Sequence, residues 1–162
     1  TDMKRKSKRE TIGWVIALAA VPFVAFVAVS IWAYGYSYRY KEFKDDLARD
    51  FAYAQANDCL TATENGVSTR LTSRNSDYIW REIAEGEFAG YKEDAMEEPV
   101  IELDFGNGSR LRICAAPDAD PDTRSVSVRL EREGEVRSIR VNGVRLLNIE
   151  RLISVQWGNE SA

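Results

Sequence analysis

Residues 11–33, TIGWVIALAAVPFVAFVAVSIWA, run for 23 positions without a charged side chain, and apolar residues fall on every face of the helix they would form. At about 1.5 Å per residue this stretch reaches about 34 Å, enough to cross a hydrocarbon core of about 30 Å. The core helix of a soluble domain keeps a polar stripe toward water, and this segment has none. The pattern therefore predicts a transmembrane helix over 11–33, bent rather than broken at Pro22. Trp14 stands near one end and Trp32, Tyr34, Tyr36, Tyr38 and Tyr40 crowd the other, where amphipathic rings favour the lipid headgroup layer.

Beyond the apolar run the period changes. In Tyr40–Asn57, Phe43, Leu47, Phe51 and Ala54 recur at spacings of four, four and three, one stripe of a helix, with Lys44, Asp45, Arg49 and Asp50 assigned to other faces. Residues 34–57 thus read as a juxtamembrane amphipathic helix. Its stripe has two uses: packing on the protein's own sheet, or forming an interface with a second helix or a membrane partner through Phe43, Leu47 and Phe51. Two heptads are too few to specify a coiled coil.

From Cys59 onward apolar residues alternate with polar ones, punctuated by turn dipeptides. Asn65-Gly66, Asn107-Gly108 and Gly134-Glu135 each centre a hairpin. Between the first two, residues 74–86 carry helical spacing, with Ser76 as the expected cap, Ile79, Trp80, Ile83 and Ala84 as the buried face, and Gly86 to end it. Residues 87–98 read as an acidic loop closed by Pro99. Residues 144–157 form a last short helix, with Asn148 as its expected cap. The fold class is α+β: an antiparallel sheet of five or six strands in 58–162, with helix on one face and water on the other.

Charge sets the orientation. The chain has 22 Lys plus Arg against 26 Asp plus Glu, but residues 1–40 hold six basic and two acidic side chains, and 41–162 hold 16 and 24. Lys4, Arg5, Lys6, Lys8 and Arg9 precede the apolar run, so the positive-inside rule places residues 1–10 in the cytoplasm and the C-terminal domain outside the cell membrane. Ala33-Tyr34-Gly35 has the small-residue spacing of a signal-peptidase site. The apolar run, however, exceeds the roughly 7–15 residues of a cleaved signal, and the segment reads as an uncleaved signal-anchor. The acidic domain is a poor match for nucleic acid.

Candidate chemistry is sparse. The chain contains no histidine, which removes the commonest general base and transition-metal ligand. Cys59 and Cys114, on strands outside the membrane, are expected to form a disulfide closing a loop of about 55 residues, worth roughly 4 kcal/mol in the chain-entropy picture. Asp118, Asp120 and Asp122 imitate the start of a calcium-binding loop but lack its glycine and closing glutamate, and Glu93, Asp94, Glu97 and Glu98 read as a solvated run. No catalytic, cofactor or metal motif is present, so the expectation is a protein that is not an enzyme and has no cofactor. Its expected partners are the lipid bilayer and a protein at the membrane or cell surface, with homo-oligomerisation through the helices open. The function these features predict is a single-pass anchor carrying a small extracytoplasmic interaction or sensor domain. The alternative is an accessory subunit of a larger membrane complex.

Overall fold

The apolar run and the amphipathic stripe lie in one helix, α1 (Asp2–Asn57), which contains Pro22. The computed structural model describes the backbone of residues 2–93, 95–96, 100–117 and 124–160, and side chains between 20 and 155 within those limits. The chain divides into two compact units, Thr1–Glu42 and Phe43–Ala162. The boundary thus falls inside the segment that the sequence reads as juxtamembrane, and the last turns of α1 belong to the folded domain.

That domain is α+β. Its seven strands are β1 (Thr61–Glu64), β2 (Val67–Arg70), β3 (Glu87–Gly90), β4 (Ile101–Asp104), β5 (Arg110–Ala115), β6 (Val126–Arg132) and β7 (Glu135–Asn142). They form one antiparallel sheet in the order β2-β1-β4-β5-β6-β7-β3. Two helices complete it, α2 (Ser73–Ala84) and α3 (Leu146–Glu160). Asn65 and Gly66 both adopt positive φ, the two-residue turn whose twist matches the flanking strands, so β1 and β2 close as the dipeptide predicts. The segment after α2, expected to be loop, instead places Glu87–Gly90 on the far edge of the sheet beside β7.

The strand period of two sorts the sheet into unlike faces. Ala62, Ile101, Leu103, Leu111, Ile113, Val126, Val128, Leu130, Ile139 and Val141 are buried on one face. The other is a polar ladder in which Arg112 binds Glu102 at 2.8 Å and Glu131 at 3.4 Å, Arg110 lies 3.6 Å from Asp104, and Arg129 donates to Ser138. The β6–β7 register runs unbroken from Val126↔Val141 to Arg132↔Glu135. Val136 therefore points to the polar face and stands exposed, while Arg137 takes the inward position.

On the apolar face the last turns of α1 run antiparallel to α2. Lys44 Nζ donates to the Ala84 carbonyl, Gln55 to Ser76 Oγ, and Phe51 meets Trp80 at 5.6 Å between ring centroids and Phe105 edge-on at 5.0 Å. Helix α2 starts four residues earlier than Ser76 as a cap implies. Thr72 is its cap, accepting from the Asn75 N–H, and Ser76 is buried inside. Asn148 likewise lies within α3, where it donates to the Tyr78 hydroxyl. At the end of α2 a side chain on Gly86 would sit 2.3 Å from Val141 Cγ1, so glycine lets the helix backbone close on β7.

Candidate functional site

Three places in the molecule carry chemistry beyond packing: the apolar part of α1, a buried carboxylate pair near its end, and a glutamate on α2. In the first, Val21, Phe23, Val24, Phe26, Val29 and Ile31 stand 63–71% exposed, and these positions cover every side of a helix. The helix meets the length and hydropathy needed to cross a membrane, and none of its apolar window is buried in the structure. Where the run ends, Trp32 stacks on Tyr36 at 5.3 Å and Tyr34 on Tyr38 at 6.4 Å, with interplanar angles of 24° and 21°.

The second place joins α1 to the sheet. Phe43, Leu47, Phe51 and Ala54 recur one helical turn apart, and Asp46 and Asp50 occupy the same buried stripe. Asp46 accepts from Arg49 on its own helix, from Arg132 of β6 at 3.0 Å and from Arg137 of β7. Burial alone would raise its pKa. The hydrogen bond from Arg137 and the charges of Arg137, Arg132 and Arg49 outweigh burial and hold the carboxyl below its ordinary value. Asp50, 1% exposed, accepts from Asn107 Nδ2 at 2.8 Å and lies 4.0 Å from Arg132. Its Oδ2 accepts no hydrogen bond among the described residues. The cluster therefore binds the helix to two hairpins, β6–β7 through arginines and β4–β5 through the Asn107 turn.

The third is Glu82, buried on α2. Arg145 reaches it through Nη2 at 2.6 Å, Nε at 3.3 Å and its backbone N–H at 3.2 Å. Desolvation would raise this carboxyl too, but the Arg145 bonds and the Tyr78 hydroxyl lower it. Glu64 behaves in the opposite way: burial, then the nearby charge of Glu150 on α3, raises it.

Two sequence expectations are corrected. Cys59 and Cys114 are both thiols in the structure and are not joined. Cys59 Sγ donates to the Phe105 carbonyl at 3.1 Å, whereas Cys114 lies 3.7 Å from Met96 Sδ. The β4–β5 register sets Ile113 opposite Ile101, so Cys114 lies level with position 100, five residues of strand from Phe105. That is about 17 Å at 3.4 Å per residue, far beyond the roughly 7 Å between Cα atoms that a disulfide spans. Phe43, Leu47 and Phe51, read as a candidate interface, are 0–2% exposed in the chain's own core and present no surface to a partner.

Asp50, assigned from its spacing to a polar face, is buried instead, and the Asp46 cluster, Arg137 and Glu82 were not foreseen. The one signal for them was an acid at stripe spacing, Asp46 beside Leu47 and Glu82 beside Ile83. Asp94, Glu97, Glu98, Asp118, Asp120 and Asp122 lie outside the described residues. Among the described residues no group of three or more metal-ligating side chains is arranged to hold an ion.

A cleft of about 520 Å³ at the hairpin tips is lined by Asp104, Arg110, Glu131, Arg132, Glu133 and Glu135. Both of its guanidinium groups contact carboxylates. No family model, curated protein or solved structure matches this chain.

Proposed function

We propose that this chain is a single-pass membrane protein, its residues 1–10 cytoplasmic and its α+β domain extracytoplasmic, and that the domain is a non-enzymatic interaction or sensor module. The observation that carries the reading is the apolar stretch of α1, exposed on every side while the domain's own apolar face is filled. Burying one Phe or Val side chain from water is worth about 1.5–3 kcal/mol, so a bilayer is the favourable surrounding for this stretch. The basic cluster before it supports the orientation. A histidine-free chain whose buried carboxylates are held by arginines supports binding rather than catalysis. The reading as an accessory subunit keeps only the membrane stretch as its seam, because Phe43, Leu47 and Phe51 are spent in the core.

Alkaline extraction and external proteolysis of intact spheroplasts test the proposal together. The chain is expected to stay with the membrane pellet, and protease added outside is expected to remove the domain and leave an N-terminal fragment protected. Release at alkaline pH overturns the anchor, and protection of the whole domain overturns the orientation.

A further inference from the structure

The end of the apolar stretch repeats one arrangement on two opposite flanks of the helix. At about 100° per residue, Trp32 and Tyr36 share one flank, and Tyr34 and Tyr38 share another about 180° away. Each flank carries a stacked ring pair. Trp32, Tyr34 and Tyr38 are 68, 74 and 55% exposed, so these are outward-facing pairs rather than core contacts. Each pair is followed by a cation: Arg39 beside the Trp32 flank and Lys41 beside the Tyr34 flank, both exposed. In both cases the cation comes seven residues after the first ring, about 10 Å along the axis.

Indole and phenol rings settle where the acyl chains meet the headgroups, and long cationic side chains reach outward from there to phosphate. The headgroup layer on each side of a bilayer is about 5–7 Å thick, so a ring-to-cation rise of about 10 Å spans it. A partner helix covers one flank, whereas a leaflet surrounds both.

We propose that Trp32/Tyr36 with Arg39, and Tyr34/Tyr38 with Lys41, form a two-sided binding site for the phospholipid headgroup layer, with the rings at the glycerol level and the cations on anionic phosphates. The site rests on the membrane-anchor reading and adds to it a depth and a lipid preference. The stacked rings lose little freedom on entering the layer, and Glu42 is the only acidic side chain directly next to these cations in sequence.

The test uses the full chain in phosphatidylcholine vesicles whose acyl chains carry bromine at chosen depths. The fluorescence of the native chain minus that of Trp32→Phe isolates this one exposed indole and leaves the domain untouched. The Trp32 signal is expected to be lost most with bromines nearest the headgroup and least with bromines at the chain ends. Chain extracted in mild detergent from mixed phosphatidylcholine and phosphatidylglycerol vesicles is expected to retain the anionic lipid, and Arg39→Gln with Lys41→Gln to lose that preference. Quenching by aqueous iodide but by no brominated lipid, in a chain that still floats with the vesicles, overturns the site. Equal lipid retention by the double variant overturns the assignment of the cations. Failure of the native chain to float at all overturns the anchor reading instead.

Discussion

Helix α1 carries two unlike stretches along its length, and the difference shows how much each one specifies. Phe23 and Phe26 stand 67 and 71% exposed, and the stretch from 11 to 33 carries no charge. Around Phe43, Leu47 and Phe51 the same kind of side chain is sealed, and charges are packed among the apolar groups. A bilayer accepts any apolar surface without regard to its shape, so under the proposed anchor the first part needs only length and hydropathy. The sheet accepts one fit, and the second part is specified residue by residue, down to the carboxylate at Asp46 that meets arginines from two strands. Propensity and periodicity make both parts helical, but only the second is coded for a partner surface.

The sharpest break in this comparison is truncation. Residues 43–162 are expected to fold as a soluble domain with a cooperative melt, and residues 58–162, which lack the Phe43–Leu47–Phe51 stripe, are expected to show none by circular dichroism. Next comes a matched pair of phenylalanines. Phe51→Ala should cost the domain about 4 kcal/mol in denaturant unfolding, whereas Phe26→Ala, 71% exposed, should leave that transition unmoved.

Asp46→Ala should cost about 3 kcal/mol, because it leaves the guanidinium groups of Arg132 and Arg137 half-buried without their carboxylate. The pH dependence has a definite sign. Asp46 and Glu82 have lowered pKa values in the fold, so their contribution is present above the ordinary carboxylate value of about 4. It is lost as pH falls through the lowered values. Tm should fall on acidification below about pH 4, and Asp46→Asn should flatten that fall. Glu64, raised by burial and Glu150, works against the trend, since its protonation favours the fold. Glu64→Gln should therefore raise Tm slightly at neutral pH. The smallest effect concerns the thiols: a reductant should leave Tm unchanged, and non-reducing mass analysis should find two thiols.

Much of this architecture is legible in the sequence. The apolar run, the three hairpins and the α+β class follow from local periodicity and turn chemistry, and the Phe43–Ala54 stripe announces a buried face. Local patterns do not report which strands meet across the sheet, which is why β3, four residues long and paired with a strand some fifty positions later, reads as loop. They also treat a charge as solvated. Arg137 interrupts the apolar alternation of β7, and Asp46 sits in a helical stripe. Each looks out of place alone, and the pair makes sense only once the fold brings them together. The misread disulfide has the same root, because strand membership does not fix position along the strand.

The same ion cluster has a consequence for the order of events during synthesis. Asp46 and Arg137 are 91 positions apart. At roughly 5–20 residues per second the helix emerges some 5–20 seconds before the arginine that holds it. For that interval its sealed face has no sheet to rest on. The domain closes only when its seventh strand arrives, so any factor that shields the nascent chain has to hold it until then, and a stall before Arg137 leaves an exposed apolar stripe.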